Sequence, residues 1–187
     1  MEGDRAYVNG LNTNCLFSID PVNLSTGNFI YQKEDLNVPG RTPLSFTRFY
    51  NEQSLGCQSI APGWVHTYEM YLEEEENEET GDRLRLHFAD GHEEVFVQVA
   101  SDLYINGNHG KGAVRVVWMS EELSAESAES FAEAPEEEKI PHFHWEAEDK
   151  TKHIFNDYGR AIYRERKSGS TLRFSYDADG LLIKPET

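Results

Sequence analysis

The sequence predicts an all-β protein: an antiparallel meander of short strands joined by tight turns. Three observations carry that expectation. Apolar and polar residues alternate with a period of two, as in Arg83-Leu84-Arg85-Leu86-His87-Phe88. Turn pairs such as Asp90-Gly91 and Asp179-Gly180 punctuate the alternation at short spacing. A single stretch, 120–135, has the composition of a helix, and its apolar stripe holds only Leu123 and Phe131 as large residues.

In chain order, weaker strands are predicted at about 28–34 and 44–50, with Val38-Pro39-Gly40 and Thr42-Pro43 as turn material between them. Gly63-Trp64-Val65-His66-Thr67-Tyr68 leads into a strand ending near Leu72, and an acidic loop joins it to 83–88. The Asp90-Gly91 turn then returns the chain through Val95, Val97 and Val99. Short strands follow at 103–105 and 114–118. Ser120 is placed to cap at most two helical turns in a mobile acidic loop. Beyond it, Phe143, Trp145 and Ala147 point one way, while His142, His144 and Glu146 point the other. Four more strands, near 152–155, 160–165, 171–176 and 181–183, complete the ladder. This organisation divides the chain into a β domain over 1–118, an acidic linker or insertion over 119–140, and a second β block over 141–187.

The charge is local. Against 17 basic residues stand 34 acidic ones, for a formal net charge of −17. Seven Glu lie in 69–79 and eight in 119–138, with no Lys or Arg in either, so the remainder is nearly neutral. Two solvated acidic connections are the simple reading, and a cation or basic-partner site the alternative. No basic patch suggests nucleic acid. No run approaches the roughly 18 apolar residues of a membrane span, and the N-terminus lacks the basic end and apolar run of a signal peptide. Cys15 and Cys57 allow at most one disulfide and are expected as ordinary thiols.

No Gly-x-Ser-x-Gly, phosphate-binding Gly-Lys-Ser/Thr or His-Glu-x-x-His occurs, so neither enzymatic activity nor a cofactor is expected. His142 and His144 share a strand face and are the best candidates for a metal, with Glu146 and His153 nearby. The simpler reading is a solvent-facing polar row. Trp64 and Tyr68, with Phe46, Phe49 and Tyr50, offer aromatic surface for a sugar, against core packing as the alternative. Arg41 and Arg48 are expected to pair with Asp35 or turn acids.

Two turns match at an offset of 21 residues. Phe155-Asn156-Asp157-Tyr158-Gly159-Arg160-Ala161-Ile162 aligns with Tyr176-Asp177-Ala178-Asp179-Gly180-Leu181-Leu182-Ile183. The aromatic ends one strand, the Asx side chain bonds the backbone two residues on, and Gly takes a positive φ. The second copy resembles the YD repeat of the Rhs family. Three upstream blocks resemble the domain of unknown function that precedes such repeats in polymorphic toxins and wall-associated proteins. They are Asp20-Pro21-Val22-Asn23-Leu24-Ser25-Thr26-Gly27-Asn28-Phe29, the segment from Val38-Pro39-Gly40 to Asn51, and Pro62-Gly63-Trp64-Val65-His66-Thr67-Tyr68 followed by the Asp90-Gly91 hairpin. Together the blocks span roughly residues 20–187.

The resemblance implies a fold that begins a hollow β shell and a non-catalytic, structural function. The motif residues carrying it would be Asp20, Pro21, Thr26, Gly27, Pro39, Gly40, Gly63, Trp64, Asp90, Gly91, Tyr176, Asp177 and Gly180. It implies as partner the remainder of a longer Rhs-type polypeptide, with an enclosed toxin, and a secreted or cell-surface location. A carbohydrate- or cell-surface-binding module is the alternative. Phe155-Asn156 stands where Tyr-Asp is usual, and 120–138 looks like an insertion. With one and a half repeats, the chain looks like an N-terminal fragment of a larger protein or a truncated relative.

Overall fold

The computed structural model describes residues 22, 27–40, 43–53, 60–76, 81–106, 112–120 and 139–186. Asp20, Pro21, Thr26, Arg41, both cysteines and the expected helical turns after Ser120 lie outside the described residues. Every regular element among the described residues is a strand, and every pairing is antiparallel. Strands β1 (Ile30–Val38), β2 (Leu44–Asn51) and β3 (Trp64–His66) form a small sheet. Ten more follow in strict sequence order: β4 (Tyr71–Glu75), β5 (Arg83–His87), β6 (Glu93–Ala100), β7 (Leu103–Asn106), β8 (Ala113–Ser120), β9 (Lys139–Glu146), β10 (Lys152–Phe155), β11 (Ala161–Glu165), β12 (Thr171–Tyr176) and β13 (Leu182–Glu186). This is the predicted all-β meander. The sheet crosses residues 121–138 without interruption, because β8 pairs with β9 from Val114–Trp145 to Ser120–Lys139. The change of sheet falls between β3 and β4.

The long sheet curls on itself. Tyr71 in β4 makes an antiparallel bridge to Arg160, and the Leu72 N–H donates to the Gly159 carbonyl at 2.7 Å. Strand β4 thus meets the chain again at the turn between β10 and β11, while β12 and β13 run on beyond that seam. A sheet curled back this far over eight strands leaves an interior about wide enough for side chains to fill. Here they do fill it: Leu84, Leu86, Phe96, Val114 and Phe155 are fully buried inside, packed with Leu72, Phe143, Trp145, Leu172 and Phe174. Each such side chain stabilises the fold by about 1.5–3 kcal/mol.

The β5–β6 hairpin turns its valines away from the core. Phe96, not the valines, faces the core opposite Leu84; Val95 and Val97 lie opposite Arg85 and Arg83, and Val99 is exposed. The reason is loop length. Phe88 N–H bonds the His92 carbonyl, so the loop is Ala89-Asp90-Gly91 rather than Asp90-Gly91 alone. One extra loop residue shifts the partner strand by one position and exchanges its two faces.

The same loop recurs. At Phe88–His92, Ala147–Thr151, Asn156–Arg160, Arg166–Ser170 and Asp177–Leu181, the first N–H donates to the fifth carbonyl and the fourth N–H to the first carbonyl. The fourth residue is left-handed, as in the three-residue hairpin loop with a bulge. Glycine occupies it at Gly91, Gly159, Gly169 and Gly180, but the second loop has Lys150, with φ 71°. Lys150→Gly is therefore expected to stabilise the protein by about 0.5–1 kcal/mol, since left-handed strain outweighs the added entropy of the unfolded chain. The exposed ion pair of Lys150 with Glu146 contributes little to set against it. A urea midpoint no higher than that of the parent protein would refute this.

Candidate functional site

The two matched turns are built alike down to the hydrogen bond. Asn156 Oδ1 accepts from the Tyr158 and Arg160 N–H groups at 3.2 and 2.8 Å. Asp177 Oδ1 accepts from the Asp179 and Leu181 N–H groups at 3.1 and 2.8 Å. The Asx residue therefore closes the loop in both, as the sequence predicts, whether it is Asn or Asp. Phe155 is sealed in the core, whereas Tyr176 is half-buried.

The units also lock to each other. The Tyr176 hydroxyl donates to the Ala161 carbonyl at 2.7 Å, tying the second turn to the strand after the first. Burial pushes the Tyr176 phenol up to about 12, against a smaller opposing effect of Arg160. The Arg160 guanidinium lies 5.7 Å from the Tyr176 ring centre and fills the space a Cβ would need at Gly180. At the first turn that space is taken by backbone: a Cβ on Gly159 would lie 2.0 Å from the Leu72 carbonyl oxygen. Each turn glycine thus receives a neighbouring element, β4 at Gly159 and the Arg160 side chain at Gly180. The motif predicted Gly180 but gave no sign of Arg160, because the residue after the glycine differs between the copies.

The upstream motif residues hold the small sheet to the large one. Asn28 and Asn51 are both fully buried, and Asn28 Nδ2 donates to Asn51 Oδ1 at 2.8 Å. Asn51 Nδ2 reaches the Gly91 carbonyl at 3.4 Å, so the Asp90-Gly91 turn docks against β2. Gly63 has φ 77°, its carbonyl accepts from Asn51 N–H at 2.8 Å, and a Cβ there would lie 2.7 Å from the Tyr50 ring. Neither Asn28 nor Asn51 carries a signal in sequence beyond its place inside a motif block. Gly27 has φ 71° in open space, and Pro39 and Gly40 are exposed after β1.

The two candidate ligand aromatics are not one platform. Trp64 aligns with Tyr50 and Tyr31 across β3, β2 and β1, and the Arg48 guanidinium sits 5.2 Å from its ring centre. Arg48 in turn makes a two-pronged pair with Asp35, one of the pairings the sequence suggests. Tyr68 packs elsewhere, 6.0 Å from Phe174 at the rim of the core.

His142 and His144 share a face of β9, as predicted, but the row does not face solvent. His142 is 1% exposed opposite Val117, and His144 is half-buried. Nδ1 of His142 sits 3.3 Å from the Ile140 carbonyl, and Nε2 of both rings is sealed from solvent without a partner. Burial lowers both imidazoles, His144 to about 4 with a further contribution from His142. His153 lies on the opposite face, beside Trp145. Among the described residues no group of three or more His, Cys, Asp or Glu is arranged to hold a metal ion, and no helix is long and apolar enough to cross a membrane.

No curated protein matches the chain. Residues 19–96 match the family model described as Domain of unknown function (DUF6531). The matched stretch takes in the small sheet, the Asn51–Gly91 junction and the chain as far as Phe96, so the first part of the protein is similar to that domain of unknown function.

Proposed function

We propose that this chain is a non-catalytic structural segment that begins and caps the β shell of an Rhs-type protein. One observation carries the reading: two YD-like units with the same hydrogen bonds are interlocked through Tyr176 and Arg160, and β13 is left as a strand edge. Among the described residues β13 pairs only with β12, and Leu181 and Ile183 beside that edge are 59% and 61% exposed. Exposed apolar strand edges are normally covered in a finished fold. A following unit would cover this one as β12 and β13 extend β11. Pro185 lacks an N–H, so a neighbour would gain no bond from that residue's nitrogen.

The packed interior favours a cap over a wall. A passenger polypeptide has no room inside β4 to β11, so any enclosed toxin would lie beyond β13, within later units. Secretion or surface display, and a toxin as partner, belong to this same reading. Carbohydrate binding on Trp64 or Tyr68 has less behind it, since Arg48 lies on the Trp64 ring and Tyr68 packs on Phe174.

The reading frame that encodes the chain tests the proposal directly. It is expected to continue past Thr187 into further Tyr-Asp-x-x-Gly units. Deleting residues 1–187 from the longer product should then open its later units to proteolysis. A frame that stops at Thr187, or a deletion that leaves the protease pattern unchanged, refutes the cap.

A further inference from the structure

A cavity of about 1000 Å³ lies along β7 to β11, at the upper end of the roughly 300–1,000 Å³ usual for small-molecule sites. It takes in the row Arg115, His144, Ile154 and Tyr163, on the face turned from the core, together with Trp145 and His153 from the other face. Trp145 and His153 stand opposite each other on β9 and β10, with ring centres 5.1 Å apart, and each is more than nine-tenths buried. What remains open of each borders the cavity. The Trp145 Nε1–H and the His153 ring nitrogens have no hydrogen-bond partner, yet none of them is sealed from solvent. A Cβ on Gly112 would lie 3.6 Å from Nε1, so that glycine leaves the indole edge uncovered. Burial, and then the Arg164 guanidinium, lower His153 to about 4, so at neutral pH its ring keeps one N–H and one bare nitrogen.

A donor and an acceptor held side by side at a cavity wall suit a group that both accepts and donates. Rings 5.1 Å apart are spanned better by an acceptor and a donor on separate atoms, as in an amide, than by one hydroxyl. Charge points the same way. Arg115, Lys150 and Lys152 line the cavity against Glu146, Glu148 and Glu165, three of each sign, and Lys150–Glu146 and Lys152–Glu165 are paired at 2.8 and 3.4 Å. So balanced a lining has no net field to draw in an ion. We propose that this cavity binds an uncharged small molecule through a carboxamide, whose oxygen accepts from the Trp145 Nε1–H and whose N–H donates to His153. Ile105, Ile154 and Tyr163 supply apolar surface for the rest of the ligand. The inference stands independently of the cap reading.

Heteronuclear NMR titration of the chain at pH 7.5 tests it, with benzamide as one probe and benzoate as the other. Benzamide should bind saturably and shift the signals of the Trp145 indole N–H, Gly112 and His153. Benzoate has no N–H to give His153 and should bind more weakly by about fivefold or more. Trp145→Phe keeps an aromatic ring and loses the donor, and should weaken benzamide binding by about fivefold. His153→Leu removes the acceptor and should do the same. It is the variant to read if Trp145→Phe does not fold. The site is overturned if benzamide causes no saturable shift, if the shifts are confined to other residues, if benzoate binds as tightly, or if the folded variants keep the parent affinity.

Discussion

Replacing Gly159 with alanine is expected to cost about 3–6 kcal/mol, the largest effect of any turn glycine among the described residues. Three terms add. A left-handed φ of 72° costs a residue with a Cβ about 1–2 kcal/mol. The Cβ would fall 2.0 Å from the Leu72 carbonyl oxygen, which is backbone and has no rotamer to escape into. Forcing β4 away adds about 1–3 kcal/mol of packing loss and about 1 kcal/mol for the Leu72–Gly159 hydrogen bond. Gly169 supplies the control. Its φ is 79°, but nothing lies within 4 Å of its Cβ position, so Gly169→Ala should cost only the backbone term of about 1–2 kcal/mol. Gly180→Ala should fall between them, because the neighbour is the flexible end of Arg160. Urea unfolding of the three variants measures the ranking. Equal losses at Gly159 and Gly169 would mean that the β4 seam contributes nothing to stability.

That seam was not legible in the sequence, for a physical reason. Strand alternation and turn chemistry are local, and they gave the all-β class, the order of the meander and the closure of the matched turns by Asn156 and Asp177. Where β4 meets the chain again depends on how much the sheet curls over eight strands, and no local pattern encodes that. Register was legible only as far as loop length was. The sequence shows Val95, Val97 and Val99 alternating after the Asp90-Gly91 turn but not which face they take, and the three-residue loop puts Phe96 inward. The recurrence of that loop was half hidden for a related reason. Lys150 occupies a position where glycine marks the other four, so the loop at 147–151 has the shape without its usual residue. The candidate site was read in part: Gly180, Asp177 and Tyr176 were picked out, but Arg160, Asn28 and Asn51 were not. Their roles come from cross-chain neighbours, and a polar residue bonded inside a fold looks the same in sequence as one bonded to water.

Lowering the pH from 6.5 to 4 is expected to cost about 2–3 kcal/mol through His153 alone. Its pKa is lowered from 6.5 to about 4, chiefly by burial and then by the Arg164 guanidinium. The sign follows from proton counting. Above pH 6.5 the imidazole is neutral in the folded and unfolded chain, and its contribution is fully present. Between 6.5 and 4 the unfolded chain takes up a proton that the folded chain refuses, so unfolding gains. Near and below pH 4 both forms are protonated and the loss levels off. His144, also lowered to about 4, and His142, lowered by burial, push the same way. Ion-paired carboxylates such as Glu93 lose stability at low pH too, so the total fall does not isolate His153. The slope does. A group titrating only in the unfolded chain contributes up to about 1.4 kcal/mol per pH unit. His153→Leu removes the proton and keeps the apolar contact with Trp145, which lies 5.1 Å away ring to ring. Denaturant unfolding of parent and variant at several pH values between 4.5 and 7.5 compares the slopes, whatever the variant's absolute stability. A shallower slope near pH 5 in His153→Leu is expected. Parallel curves would mean that His153 is protonated as readily in the fold as in water, and that the end of the curl beside Arg164 is wetter than its packing implies.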